Sequence, residues 1–174
     1  MKAVAPVRVD DPLELPVDLA LRAMTETDLP FLERVYASTR TVELAQTDWS
    51  EAQKADFLAF QFHAQHQHYQ THYHDAQFYV VEREAIPIGR LYLHWRKDEL
   101  RIVDIALLPE SRGHGLGTAM LRTLMTRAAS LGKSVSIHVE QMNPAMRLYL
   151  RLGFRRIGEH GIYHDNLIGQ KYYP

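Results

Sequence analysis

The stretch that most constrains the fold of this chain is residues 102–118, which read IVDIALLPESRGHGLGT. Residues 102–108 are almost all apolar, as expected for a strand that is covered on both faces, and Pro109 ends that strand. Glycines then alternate with other residues until a helical apolar spacing begins at Leu116. The stretch therefore predicts a buried strand, a glycine-rich loop and the start of a helix.

A glycine-rich loop that leads into a helix is a candidate site for an anion. The helix start leaves backbone N–H groups unpaired and carries the positive end of the helix dipole, and the glycines let a pyrophosphate approach that backbone. The loop offers Gly113, Gly115 and Gly117, with Arg112 as an extra cation. A Walker A loop needs a lysine before Thr118, and neither register of the glycines gives GxGxxG. From the loop alone, two interpretations stay open: an Arg-Gly-x-Gly-x-Gly loop that binds an anion, and a turn that binds no ligand.

A second motif, NPAMRLYLRLGF, follows at residues 143–154. Together with LLPESRGHGLG at residues 107–117, it resembles the GNAT (general amine N-acetyltransferase) superfamily, in which the Arg-Gly-x-Gly-x-Gly loop binds coenzyme A. The specific match covers about residues 99–158, and the rest of the chain fits by the order of its elements. Pro6, Pro12 and Pro16 among acidic and aliphatic residues predict an extended arm at residues 1–16. The resemblance implies a single acetyltransferase domain at residues 17–174.

The implied fold is of the α/β (α+β) class, with a mixed and mostly antiparallel central sheet of about six to seven strands flanked by helices. The strand at residues 134–140 follows a helical crossover, so it should lie parallel to the strand at residues 102–108, and these two form the splayed pair of the resembled fold. Asn143 should cap the helix that follows. Periodicity places further strands at 18–24, 77–84, 88–95, 154–158 and 163–173, and helices from residue 28 to a break near 39–48, at 50–73, at 116–131 and at 144–152.

The resemblance implies direct transfer of an acetyl group from acetyl-CoA to an amine in a ternary complex. Backbone N–H groups of the loop would hold the pyrophosphate, and the backbone of Leu107 would pair with pantetheine and polarise the thioester. Asn143 would contact cofactor or acceptor, with a plain N-cap as the alternative. Arg147, Arg151 and Lys133 would meet the 3′-phosphate or form a solvated surface. The implied cofactor-binding residues are Leu107, Leu108, Arg112, Gly113, His114, Gly115, Leu116, Gly117, Thr118 and Asn143.

Three residues are candidates for the proton transfers. The resemblance assigns Tyr149 the general acid that protonates the departing thiolate, and a core tyrosine is the alternative. The acceptor arrives as an ammonium ion, so a base must remove its proton. Asp104 is the first candidate, because a carboxylate in an apolar strand must be paired or carry a shifted pKa, and Glu140 is the second. A structural Asp104 and a water chain acting as base both stay open.

Composition bounds the partners of the chain. The net charge is -1 and no basic patch stands out, so nucleic acid is excluded. The chain has no apolar run of membrane length and no signal-peptide pattern, so we expect a cytoplasmic protein without a membrane partner. The absence of cysteine rules out zinc–thiolate sites and a cysteine nucleophile. A small-molecule amine and a peptide amine both stay open as acceptors, and homodimers are common in the superfamily.

Residues 63–74 are rich in histidine, which raises a competing interpretation. His68 and His72 lie one helical turn apart, a spacing that metal ligands use. Because the segment lacks HExxH and a nearby cysteine, we predict a solvated helix face and no metal site.

The main alternative to the enzyme is a GNAT-fold module that binds acyl-CoA without catalysis, as a sensor or interaction protein.

Overall fold

The structure is a computed structural model that describes residues 12–140, 143–159 and 164–168. For residues 140, 157–159 and 164–168 it describes the backbone alone. The elements in chain order are β1 (Leu19–Ala23), α1 (Leu29–Ala45), α2 (Glu51–His72), β2 (Gln77–Arg83), β3 (Ile86–Trp95), β4 (Glu99–Leu107), α3 (Leu116–Ser130), β5 (Ser134–Glu140), α4 (Met146–Arg151), β6 (Arg155–Glu159) and β7 (His164–Ile168).

The strands form one seven-stranded sheet in the order β1-β2-β3-β4-β5-β7-β6. β1 with β2, β5 with β7, and β6 with β7 pair antiparallel, whereas β4 and β5 pair parallel. The parallel ladder runs from Glu99↔Ser134 to Ile102↔Ile137, and both strands continue beyond it. The predicted mixed, mostly antiparallel sheet with one parallel pair and flanking helices is therefore confirmed.

The chain divides into two compact units. The first unit holds Asp18–Tyr92 and Ile105–His114, and the second holds Leu93–Asp104 with the described residues of Met1–Val17 and Gly115–Pro174. Each unit is built from segments that lie far apart in the sequence, because β3 and β4 each contribute to both. Within the part of the chain that the structure describes, no helix is long and apolar enough to cross a membrane.

The core of the first unit forms where α1 and α2 pack together. Leu32, Tyr36, Phe62 and Val80 form one buried cluster, as the spacing of apolar residues predicts for α1. Helix α1 continues to Ala45, so the break predicted near residues 39–48 occurs later than expected. The reason is that the apolar spacing of α1 extends to Leu44, whose side chain is buried.

The core of the second unit forms where α3 packs on β5. The buried residues of α3 are Leu116, Met120, Leu121, Leu124 and Ala128, and β5 buries Val135, Ile137 and Val139 against them.

Two side chains of α3 bind the described part of the predicted N-terminal arm. Arg127 Nη2 donates to the Pro12 carbonyl at 2.6 Å, and Thr123 Oγ1 donates to the Glu14 carbonyl at 2.9 Å. Residues 1–11 of that arm lie outside the described residues.

The start of α4 differs from the prediction that Asn143 is its N-cap. The N-cap is Ala145, and α4 begins at Met146. Asn143 instead closes a turn before the helix: its Oδ1 accepts the Ala145 N–H at 2.8 Å, and its carbonyl accepts the Met146 N–H at 3.0 Å. Asparagine side chains often bond the backbone two residues on, and here that turn replaces the first helical residues.

Candidate active site

The end of β4 is held by two hydrogen bonds to the Leu107–Leu108 peptide, one from the backbone and one from a side chain, both within the first unit. The N–H of Leu108 donates to the Ile88 carbonyl at 2.8 Å, and Nε of Arg112 donates to the Leu107 carbonyl at 2.8 Å. The side chains of Leu107 and Leu108 are buried. Both polar atoms of this peptide are therefore engaged, and the peptide plane has a fixed orientation.

Gly89 of β3 allows the end of β4 to come unusually close. A Cβ atom at this position would overlap the Ala106 carbonyl oxygen and lie 2.8 Å from Cδ2 and 3.1 Å from Cα of Leu107. Real side chains do not tolerate such contacts, so only glycine fits here. Sequence analysis did not single out this residue, because a glycine in a strand has several explanations.

The glycine-rich loop turns sharply before α3. Pro109–Ser111 forms a single 3₁₀ turn, and Gly113 and Gly115 then have left-handed φ angles of 78° and 77°. A side chain would be strained at either glycine. Gly115 is the N-cap of α3, and its carbonyl accepts the Ala119 N–H at 3.0 Å. The loop therefore presents the first, unpaired N–H groups of α3 to solvent.

Gly117 lies in the first turn of α3, and the fold itself does not require a glycine there. Its φ is not positive, and a Cβ added to it would meet no atom within 4 Å. Glycine costs a helix up to about 1 kcal/mol relative to alanine. A glycine kept at this cost fits a ligand that approaches the helix start closely, as a pyrophosphate would.

The remaining loop residues differ in exposure. Arg112, Gly113, His114 and Gly115 are exposed, Thr118 is half-buried, and Leu116 is buried in the core of the second unit. Of the phosphate candidates outside the loop, Lys133 donates to the Arg96 and Lys97 carbonyls at 2.8 and 2.6 Å. That lysine therefore closes the turn between β3 and β4, whereas Arg147 and Arg151 are exposed.

Tyr149 lies on the buried face of α4, with only 4% of its surface exposed. Its ring packs edge-on against Phe154, with the ring centroids 5.8 Å apart, and its carbonyl accepts the Phe154 N–H at 3.0 Å. Burial first, and the negative charge of Asp104 second, raise the pKa of the Tyr149 phenol well above its ordinary value. The hydroxyl consequently keeps its proton at neutral pH.

Asp104 and Tyr149 are two candidate catalytic side chains that are coupled electrostatically. The negative charge of Asp104 adds to the effect of burial on the pKa of the Tyr149 phenol, and both residues belong to the second unit. Asp104 is half-buried, so solvent reaches a carboxylate that the sequence placed in a covered strand. The backbone of Glu140 ends β5, and its side chain lies outside the described residues.

Two histidines of α2, His68 and His72, contact each other. The rings of His68 and His72 stack with centroids 4.2 Å apart, and Nδ1 of His72 donates to the His68 carbonyl at 3.0 Å. Both side chains are exposed. Among the described residues, no three His, Cys, Asp or Glu side chains are grouped so that they could hold a metal ion.

Arg90 is a buried cation that sequence analysis did not identify. It is 2% exposed, its guanidinium lies 5.8 Å from the Tyr36 ring and 5.3 Å from the Tyr92 ring, and Nη2 donates to Gln65 at 3.1 Å. The aromatic faces attract the cation. The sequence feature that could have identified Arg90 is its position as an arginine in a mostly apolar strand.

Comparison with known proteins gives the family. The model of the acetyltransferase (GNAT) family matches residues 39–154. A curated relative, an N-alpha-acetyltransferase of Sulfurisphaera tokodaii, is 26% identical over 99 residues. That match covers 48% of this chain and 59% of the relative, so the chain spans less than two thirds of the length of that protein.

Solved structures show the same fold at low sequence identity. The PaiA N-acetyltransferase of Thermoplasma acidophilum, in complex with coenzyme A, has a TM-score of 0.65 and 17% identity, over 88% of this chain and 99% of that one. RimL, a ribosomal L7/L12 alpha-N-protein acetyltransferase, has a TM-score of 0.59 and 21% identity, over 90% of this chain and 91% of that one. Because the family model matches more than half of the sequence, this chain belongs to the acetyltransferase (GNAT) family.

Proposed function

We propose that this protein is an N-acetyltransferase that moves an acetyl group from acetyl-CoA to an amine by direct transfer in a ternary complex. The observation that carries the proposal is the open helix start at Gly117, where the fold tolerates a side chain but the sequence keeps a glycine. Family membership and the coenzyme A held by the PaiA structure support acetyl-CoA as the co-substrate, which supplies the acetyl thioester.

The backbone from Arg112 to Thr118, which includes His114 and Leu116, would hold the pyrophosphate. Several N–H groups converge at the start of α3, and their dipoles bind an anion without a fixed charge. Leu107 and Leu108 would contact pantetheine through their backbone. The N–H of Leu107 would donate to the thioester oxygen, and a preorganised donor of this kind contributes roughly 3–4 kcal/mol in other acyl-transfer sites.

Proton transfer would involve two side chains of the second unit, Asp104 and Tyr149, which are coupled electrostatically. Asp104 would accept the proton of the ammonium group, with Glu140 as the second candidate, so that the amine nitrogen can attack the thioester carbon. The nitrogen of the tetrahedral adduct then loses its second proton to solvent, and the bond from carbon to sulfur breaks. The Tyr149 hydroxyl would donate a hydrogen bond to the departing thiolate. A thiol has a pKa of about 8.5, below that of the buried phenol, so the phenol keeps its proton. Tyr149 therefore acts chiefly as a hydrogen-bond donor to the thiolate, which solvent then protonates.

The acceptor that we propose to test first is the α-amino group of a peptide. The Sulfurisphaera tokodaii relative is an N-alpha-acetyltransferase, and RimL is named for alpha-N acetylation of a ribosomal protein. A small-molecule amine is the second candidate, and Asn143 would contact either the acceptor or the cofactor.

Mass spectrometry after incubation with acetyl-CoA tests this proposal. Each peptide is supplied with a free and with a blocked N-terminus, beside a panel of small amines. A gain of one acetyl group by the free peptide alone supports α-amino acetylation. A gain by a small amine alone moves the substrate class to small molecules.

Binding of acetyl-CoA without any acetylated product would favour the alternative of a non-catalytic sensor.

We also propose that residues 17–174 act as one acetyltransferase domain in a cytoplasmic homodimer. Homodimers are common in the superfamily, and light scattering during size-exclusion chromatography measures the mass of the assembly.

A further inference from the structure

We propose that Arg112 is a positioning residue for Leu107, and that it links the end of β4 to helix α1 instead of serving as a cation for the pyrophosphate. Within the proposed function, the N–H of Leu107 is the donor to the thioester oxygen, so this inference rests on that function. It gives a positioning role to the Arg112 side chain, for which the sequence motif indicates only a positive charge.

The donors of Arg112 point into the first unit. Nε donates to the Leu107 carbonyl at 2.8 Å, and Nη2 donates to Oγ of Ser38 at 3.1 Å. The Ser38 hydroxyl in turn donates its own proton to the Val35 carbonyl at 2.7 Å. Its oxygen therefore presents a lone pair to Arg112, and the polarity of the whole chain of hydrogen bonds is consistent.

This chain of hydrogen bonds completes the fixation of Leu107. The peptide that follows Leu107 is held at its oxygen by Arg112 and at its nitrogen by the Ile88 carbonyl. Gly89 packs directly on Cα of Leu107, so the residue has little room to shift. A donor that is already oriented needs no reorganisation during the reaction, and a displacement of about 1 Å can cost a rate of up to about a hundredfold.

Charge and positioning can be separated, because lysine reproduces only the first. The guanidinium is a planar fork that donates in two fixed directions, whereas the lysine ammonium is a point charge on a flexible stem. Arg112→Lys therefore keeps a cation beside the loop and loses the link between Leu107 and Ser38. Arg112→Gln loses both, and Ser38→Ala removes only the contact with α1.

The test measures kcat, the KM for acetyl-CoA and its dissociation constant by calorimetry for the wild type, these three variants and the double variant Ser38→Ala/Arg112→Gln. Arg122→Lys, an exposed arginine on α3, is the matched control. We expect Arg112→Lys and Arg112→Gln to lower kcat alike, by about tenfold, with dissociation constants within about threefold of the wild type. Ser38→Ala should lower kcat less, and should add nothing in the Arg112→Gln background, because both changes break one link.

A dissociation constant that rises about tenfold in Arg112→Gln and is restored by Arg112→Lys, with kcat unchanged, would overturn the inference and make Arg112 the phosphate cation. Thermal unfolding of each variant identifies a loss of folding. If the Arg112 variants fold poorly, Ser38→Ala decides, and an unchanged kcat in that folded variant contradicts the link. A wild type that does not bind acetyl-CoA overturns the proposed function itself, and this inference with it.

Discussion

Tyr149 and Asp104 are electrostatically linked in the second unit: burial, and after it the negative charge of Asp104, raise the pKa of the Tyr149 phenol. An ordinary tyrosine titrates near pH 10. Because the pKa is raised above that value, the phenol stays protonated throughout the physiological range. The loss of its proton therefore does not limit activity at moderately alkaline pH, and the hydroxyl remains a donor.

Replacing Tyr149 by phenylalanine removes this hydroxyl and keeps the packing on Phe154. We expect kcat to fall at least about tenfold, because a hydrogen-bond donor to the developing negative charge is lost, whereas the affinity for acetyl-CoA changes little. Steady-state kinetics and calorimetry on the same preparation separate the two effects. An unchanged kcat would remove Tyr149 from the mechanism and leave it a core residue.

Gly117→Ala should separate stability from cofactor binding. The added Cβ meets no atom within 4 Å, and alanine favours a helix by up to about 1 kcal/mol over glycine, so the variant should be slightly more stable. The same methyl group would occupy the approach of the pyrophosphate, and we expect acetyl-CoA to bind at least about tenfold more weakly. Chemical denaturation and calorimetry measure the two changes. Wild-type affinity would show that no anion approaches this helix start.

Gly89→Ala should have the opposite effect on stability. Its Cβ would overlap the Ala106 carbonyl oxygen and crowd Leu107, and overpacking of this kind costs typically about 1–3 kcal/mol. Because the strand end must shift, kcat should also fall. Urea denaturation of both variants measures the two changes in stability. Gly117→Ala is the matched control, because it is the same substitution at a position with open space. Wild-type stability for Gly89→Ala would mean that β3 and β4 separate without cost.

Asp28 should make the protein sensitive to acid. Its Oδ2 and Oδ1 accept from the two Nη atoms of Arg22 at 2.9 and 2.8 Å, and these bonds lower the pKa of Asp28 from 3.8 to about 2. A carboxyl with a lowered pKa stabilises the folded state above its unfolded pKa, and this stability is lost as the pH falls through the folded pKa. The contribution is about 1 kcal/mol once the partly exposed Arg22 is allowed for.

The measurement for Asp28 is the free energy of unfolding between about pH 6 and pH 2, for the wild type and Asp28→Asn. The wild type should be the more stable protein at neutral pH, and the difference should shrink below about pH 4. A difference that is constant over this range would show that the carboxylate charge contributes nothing.

The sequence predicts the parts of this protein that depend on local spacing. The apolar run before Pro109 and the glycines after it locate β4, the loop and α3 because strand burial, chain reversal and helix start are properties of neighbouring residues. The sequence predicts the N-cap of α4 at Asn143, two residues before Ala145, where the structure has it. Asparagine can cap a helix or close a turn, and sequence alone does not decide between these local bonds.

Contacts between distant segments could not be predicted. Arg112 and Ser38 are 74 residues apart in the sequence, and nothing in the loop motif indicates that its arginine donates to α1. Gly89 and the buried Arg90 likewise acquire their roles only when β3 is placed in the sheet and against the helices of the first unit. The motif residues thus identify the glycine-rich loop, whereas the contacts that fix the neighbouring Leu107 can be seen only in the tertiary structure.

Release of free thiol from acetyl-CoA, followed with a chromogenic thiol reagent, tests the central claim most directly. The chain contains no cysteine, so every thiol detected comes from coenzyme A. We predict release that depends on an added amine, saturates with its concentration and is at least about tenfold slower in Tyr149→Phe. A protein that binds acetyl-CoA in calorimetry but releases no thiol with any peptide or small amine would contradict acetyl transfer.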